Sequence, residues 1–192
     1  MTVRIVPRQS SDRRVLRSRS ALLTAAVSLV SERGTTAVSI TELARAAGVS
    51  RQLVYLHFGD RDSLLVAAAI ELARGELPLE RSKPLVGRAG VLAAVRHFDR
   101  HRVFYRAMLT GSCAFAMTSA LTELLAPVNR EIVRKFSGAR TSPEALDDLA
   151  TFVTGGTGAL MNAWLLAGAE TPEQFTDRLL GSWRLIAGKA AR

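Results

Sequence analysis

Residues 36–65 read TAVSITELARAAGVSRQLVYLHFGDRDSLL, and three helix starts are written into them. Ser39-Ile40-Thr41-Glu42 has the form of a capping box, in which the Ser39 hydroxyl and the Glu42 carboxylate satisfy free amides at a helix start. Leu43, Ala44 and Ala47 give that short helix an apolar stripe. Gly48-Val49 then makes a tight turn, and Ser50 is placed to cap a second helix. Val54 and Phe58, four apart, are its inward positions. Gly59 ends it, and Asp60 caps a further helix through Leu64, Leu65 and Ala68 to about Gly75. Two short helices joined by a glycine turn, with alanines where they cross, form a helix-turn-helix. Its second helix stands proud enough to enter the major groove of DNA.

Upstream, Leu22, Ala25, Ala26, Leu29 and Val30 recur at steps of three and four. They predict a helix from about Ser18 that stops at Gly34. Residues 1–17 are expected to be a flexible basic arm. Residues 1–20 hold Arg4, Arg8, Arg13, Arg14, Arg17 and Arg19 against Asp12, a balance of +5 within a chain total of +9. Residues 21–70 balance to 0, with four arginines against four acids, so positive charge is concentrated at one end, as in a nucleic-acid-binding arm.

Downstream, Pro78 and Pro84 mark a linker over 76–87. Helices are predicted at about 88–109, 112–136, 143–168 and 172–188. Ser142-Pro143 and Thr171-Pro172-Glu173-Gln174 each supply a cap followed by proline at the first helical position. Phe175, Leu179, Trp183 and Ile186 share a face of the last helix. No strand pattern, repeat or low-complexity tract is read, so the expected class is all-α. A three-helix helix-turn-helix domain comes first, followed by a C-terminal helical domain.

A single cysteine, Cys113, forbids an intrachain disulfide, and the basic N-terminal stretch is followed by no apolar signal core. A cytoplasmic location is the expectation. Residues 149–169 carry no charge and are long enough to cross a bilayer. Three threonines, Asn162 and four glycines make a buried soluble helix the better reading, and no membrane partner is expected. No nucleophile elbow, P-loop or dinucleotide fingerprint is present. Gly155-Gly156-Thr157-Gly158 lacks both a preceding strand and a following lysine. The chain is accordingly read as no enzyme, with no cofactor. Those glycines mark either close helix packing at a dimer seam or space for a ligand. His97 and His101, four apart, have metal-ligand spacing, but Asp99 points elsewhere and a third ligand is missing. That face is read as exposed charged surface with Arg96, Arg100 and Arg102, and no metal is expected. Phe98, Phe104, Tyr105, Met108, Phe115 and Met117, with Phe152, Met161 and Trp164 on a later helix, form an aromatic and methionine cluster. It reads either as plain core or as the lining of a largely apolar ligand pocket.

The segment from Thr36 to Leu65 resembles the tetracycline-repressor (TetR) family. The shared pattern is carried by Ser39, Leu43-Ala44, Ala47-Gly48-Val49-Ser50, Tyr55-Leu56-His57-Phe58 and Arg61, with Glu32-Arg33-Gly34 before it. The likeness is specific over about residues 18–70, and beyond them it is one of layout. Arg61 stands where the family more often has lysine, and Gln52-Leu53 where small residues are commoner. The resemblance implies a homodimeric, ligand-responsive transcriptional regulator. It would be a repressor released from a pseudo-palindromic double-stranded DNA operator by a small, largely apolar effector. Residues 18–70 would bind DNA, and 71–192 would bind effector and dimerise through the helices at 143–168 and 172–188, around Gly155, Gly158, Ala159 and Trp183. Ser39, Tyr55 and His57 would donate to phosphates, and Arg61 would add positive charge. Ser50 caps the reading helix. Arg51, Gln52, Leu53 and Leu56 would face base edges, joined by Thr41 from the supporting helix.

Overall fold

The computed structural model describes residues 8–77, 79, 87–136 and 141–190, and every regular element among them is an α-helix. The order is α1 (Arg8–Arg33), α2 (Ile40–Ala46), α3 (Arg51–Phe58), α4 (Arg61–Glu76), α5 (Gly87–Arg100), α6 (Arg102–Thr110), α7 (Ala114–Phe136), α8 (Pro143–Ala167) and α9 (Pro172–Ala190).

The caps fall where the local sequence put them. At the start of α2 the Glu42 amide donates to Ser39 Oγ at 3.2 Å and the Ser39 amide donates to Glu42 Oε2 at 2.8 Å. The Ser63 amide donates to Asp60 Oδ1 at 2.7 Å, and the Ala145 amide to Ser142 Oγ at 3.2 Å. Thr171 and Gln174 exchange a reciprocal pair at 2.9 and 3.2 Å. Gly48 turns the chain between α2 and α3 at φ +64°, a left-handed conformation that a side chain would strain. Ser50 occupies the N-cap position of α3, but its hydroxyl makes no capping bond and stays exposed.

Two expectations are corrected. The flexible arm is helical from Arg8, about ten residues earlier than Ser18. Arg, Gln and Leu are good helix formers, and extending an existing helix costs far less than nucleating one. Arg17 Nε and Ser18 Oγ donate back to the carbonyls of Arg13 and Arg14 at 3.3 and 3.0 Å. Residues 1–7 of that arm lie outside the described residues. Secondly, the helix expected at 88–109 is broken at His101, whose backbone leaves the helical region at φ −104°, ψ 25°. The packing explains the break, because α5 lies on α9 whereas α6 lies on α1 and α7. One straight helix cannot serve both sets of neighbours. Helix α4, expected to run to about Gly75, ends at Glu76. Of the linker read at 76–87, Pro78 and residues 80–86 lie outside the described residues.

One continuous core joins the two halves. Leu22, Ala26, Leu43, Val54 and Leu64 of the first four helices share a buried cluster with Phe104, Tyr105, Met108, Met117 and Trp164. The seam is tightest at the end of α6. A side chain at Gly111 would place its Cβ 2.1 Å from Thr36 Oγ1, so only glycine fits there. Arg102 locks α6 to α8. Its Nη1 donates to the Trp164 and Leu165 carbonyls at 3.1 and 3.2 Å, and its guanidinium lies 4.2 Å over the Trp164 ring. The Trp164 carbonyl also accepts from the Gly168 amide at 3.0 Å, and Leu165 lies in the last turn of α8, where carbonyls run out of helical donors.

Helix α8 is long and apolar enough to span a membrane by length and composition, and 28% of its most apolar window is buried within the protomer. Its exposed side carries Phe152, Gly155, Gly156, Ala159, Ala163 and Leu166, at helical spacing.

Candidate nucleic-acid interface

Helices α2 and α3 carry the residues expected to read DNA. Val54 is fully buried, and Phe58 is half-buried against the core with the Arg19 guanidinium 4.8 Å from its ring centre, so both anchor α3. Among the described residues, the other side of α3 has no packing partner. Arg51, Gln52 and Ser50 are exposed, Tyr55 is 56% exposed and Leu56 is 74% exposed. A leucine so exposed near the middle of a short helix adds nothing to this core. Thr41 of α2 is exposed as well. Arg51 and Gln52 carry the donors that pair with guanine and adenine edges, and a leucine side chain suits a thymine methyl.

Four expected contacts look different in three dimensions. Leu53 is half-buried, so only part of it is free to meet a base. The Ser39 hydroxyl already donates to Glu42 Oε2 at 2.7 Å, so a phosphate would compete with the capping box for it. His57 Nε2 is buried and has no hydrogen-bond partner, which turns that nitrogen away from solvent and from any backbone phosphate. Arg61 is part of the seam: its guanidinium holds Asp62 Oδ1 at 2.7 Å and donates to Ser112 Oγ at 3.1 Å. A phosphate would have to share that guanidinium with both.

Electrostatics hold the entry to α2. The Arg33 guanidinium, donating to Glu42 Oε1 at 2.6 Å, lowers the Glu42 carboxyl to about 2, helped by the Ser39 amide and hydroxyl. The ion pair keeps the Glu42 carboxylate ionised and fixed at the start of α2.

The pocket candidates divide. Phe98, Phe104, Tyr105, Met108, Met117, Met161 and Trp164 come together in the buried cluster. Phe115 is 85% exposed and Phe152 is 64% exposed, so neither lines an interior space within the protomer. Both sit on outward helix faces that the apolar composition of α7 and α8 did not distinguish from inward ones. Two surface concavities lie along α1, one against α4 at Leu23, Val27 and Leu72 and one near Ala46, and none of the nine candidates lines them.

The histidine pair is also placed differently. His97 is 1% exposed and therefore lies in the core, not on an exposed charged face. Its Nδ1 lies 3.0 Å from Glu76 Oε2, and His101 Nε2 lies 2.8 Å from Glu76 Oε1. The sequence reading missed Glu76. It closes α4, 21 residues before His97, with no local pattern to connect them. Burial outweighs the carboxylate and holds the His97 imidazole below its ordinary value. For Glu76, burial pushes upward, but hydrogen bonds from His97 and His101 prevail and keep its carboxyl low.

Known proteins match this architecture. Residues 22–68 fit the family model for bacterial regulatory proteins of the tetR family. An HTH-type transcriptional repressor of Mycobacterium tuberculosis is 38% identical over 93 residues, 48% of this chain and 47% of that protein. The chain spans about half the length, or less, of the curated relatives it matches. The TetR family repressor AlkX from a Dietzia strain, implicated in n-alkane biodegradation, has the same fold at TM-score 0.60 and 21% identity, over 91% of this chain and 97% of that one. The dihydroxyacetone kinase operon activator DhaS shares it at TM-score 0.64 and 14% identity, over 89% and 96%. Residues 22–68 thus carry a helix-turn-helix segment like that of the tetR family, and the whole chain shares the fold of these solved structures.

Proposed function

We propose that this protein is a homodimeric DNA-binding transcriptional regulator, a repressor that a small, largely apolar effector releases from a pseudo-palindromic operator. The observation that carries the DNA reading is the outer face of α3, where Arg51, Gln52, Tyr55 and Leu56 are exposed on a helix anchored from behind by Val54. In the dimer two such helices lie about one helical turn of DNA apart. Arg13, Arg14 and Arg17, exposed on α1, extend the positive surface toward phosphates. The reading half comprises α1 to α3 and the start of α4, and the effector and dimer functions fall to the helices that follow. A protein that reads chromosomal DNA works in the cytoplasm, and the free buried thiol of Cys113 suits a reducing compartment.

Support for the dimer comes from the stripe on α8 at Phe152, Gly155, Gly156, Ala159 and Leu166, together with Leu185 of α9, 72% exposed. An added Cβ at Gly155 or Gly156 meets nothing within 4 Å inside the protomer, so their smallness serves no contact within one chain. Trp183 serves its own chain instead, donating from Nε1 to Thr157 Oγ1 at 3.1 Å. The effector reading rests on the apolar cluster around Phe104, Tyr105 and Met108, beside the α6 seam that touches Thr36 and Arg61. A ligand favouring a shifted α6 would couple to the DNA-reading half through that seam.

The test is selection of bound duplexes from a random pool, then competition between the selected sequence and a scrambled duplex at fixed salt. A selected operator that is two-fold related and preferred at least a thousandfold is expected. Equal binding of both duplexes would overturn the reading. Gly155→Arg is expected to yield monomers by light scattering and to weaken operator binding sharply.

A further inference from the structure

Glu76, His97 and His101 come from three different places in the fold: the last turn of α4, the last turn of α5, and the break between α5 and α6. Their ligating atoms lie within 4.8 Å of one another. We propose that they form a binding site for one divalent first-row transition ion of the zinc type, with two imidazole nitrogens and one carboxylate as ligands.

The geometry is close to what such an ion requires. Tetrahedral bonds of about 2.0–2.1 Å set neighbouring ligand atoms about 3.3 Å apart. The carboxylate oxygens of Glu76 already lie 3.0 Å from His97 Nδ1 and 2.8 Å from His101 Nε2, one oxygen to each ring. Small rotations of these side chains open the space for an ion between them. The ring behind the site is held as metal-ligating histidines usually are, by a hydrogen bond from the nitrogen that does not ligate. His97 Nε2 lies 2.9 Å from Tyr105 Oη, and Tyr105 is itself fully buried. Ion binding takes the ring from the tautomer in which Nδ1–H donates to Glu76 to the one in which Nε2–H donates to Tyr105 Oη. Nδ1 then presents its lone pair to the ion, and the Tyr105 hydroxyl turns to the Ala69 carbonyl 3.5 Å away.

The surroundings suit a three-ligand site with an open position. Side-chain exposure rises from 1% at His97 to 20% at His101 and 31% at Glu76, so the outer side faces water that can complete the coordination. One contact opposes the ion: Arg100 Nη1 lies 3.4 Å from Glu76 Oε2. That side chain is 63% exposed and free to swing into solvent. Two neutral imidazoles and a carboxylate prefer zinc and its neighbours over magnesium or calcium, which favour all-oxygen sites.

The full chain, untagged and stripped with chelator, is titrated with Co(II) and followed by its visible d–d absorption, and Zn(II) is then added to displace it. One Co(II) per chain is expected, replaced by one Zn(II). His101→Ala alters a partly exposed ring at a helix junction, and circular dichroism checks that its helicity is kept. This variant and Glu76→Gln are expected to lose the bands and weaken binding at least a hundredfold. Arg100→Ala is expected to tighten binding several-fold by removing a nearby positive charge, an effect that a purely structural role for the cluster would not produce. Absence of the bands in the unmodified protein would overturn the proposal, as would bands that His101→Ala leaves unchanged.

Discussion

The outer face of α3 and the inner face of α6 are both short, and both are rich in large side chains, yet they are opposite in kind. On α6, Phe104, Tyr105 and Met108 are fully buried and every ring has neighbours, with Phe104 and Tyr105 centred 5.3 Å apart. On α3, Tyr55 and Leu56 have solvent where α6 has protein. The exposed side chains of α3 are available to a second molecule, whereas the same kinds of side chain turned inward on α6 hold the chain folded. Substitutions on the two faces should therefore separate stability from recognition.

The largest effect is expected on α6. Phe104→Ala removes a fully buried ring and should cost roughly 3–5 kcal/mol in urea unfolding at fixed protein concentration. Leu56→Ala should stay within about 0.5 kcal/mol of the unmodified stability, because the side chain it removes packs against little. A large loss of stability at Leu56 would erase the distinction between the faces.

Recognition should show the reverse order. Gln52→Ala, fully on the outer face, should relax the preference at one base pair in each half-site by about 1–3 kcal/mol, read by competition between duplexes changed at that pair. Leu53→Ala sharpens the comparison because its side chain is half-buried. It should lose discrimination and some stability together. If Gln52→Ala left discrimination intact while Leu53→Ala lowered only stability, α3 would be a structural helix.

A smaller effect is expected at the start of α2. Ser39→Ala removes the capping hydroxyl and should destabilise the protein by about 0.5–2 kcal/mol in thermal or urea unfolding. It should also shift affinity for operator and scrambled duplex alike, since the cap sets the pose of α2 and reads no base. An effect confined to the operator would assign Ser39 a reading role.

The smallest effect concerns protons. Glu42 is held at about 2, first by the Arg33 hydrogen bond and then by the Ser39 amide and hydroxyl. Its folded value lies below its unfolded one. Its contribution to stability is therefore complete above the ordinary carboxylate range and disappears as pH falls through about 2. In a carboxyl-carbon NMR titration Glu42 should remain ionised at pH 3, where most carboxylates have begun to protonate. In Arg33→Gln the midpoint should move upward. An ordinary midpoint in the unmodified protein would show the capping box to be open in solution.

The sequence by itself determined what depends on neighbours along the chain. The capping box at Ser39 and Glu42, the glycine turn at 48, and the caps at Asp60, Ser142 and Thr171 are all made by groups within three or four residues of one another. Such signals are legible because helix ends must satisfy their own free amides. The exposed side of α3 was legible for the same reason, since helical periodicity sets Val54 and Phe58 against the residues between them. Tertiary structure alone decided what depends on distant partners. Phe115 and Met117 are two residues apart with similar hydrophobicity, yet one is 85% exposed and the other 1%. His97 and His101 were visible as a pair, but the carboxylate between them arrives from the end of another helix. Arg61 carries the charge expected of a phosphate contact, and only the fold shows that Asp62 and Ser112 already hold it. In each case the deciding atom belongs to a segment brought near by burial of apolar surface, which has no preferred partner written into the local sequence.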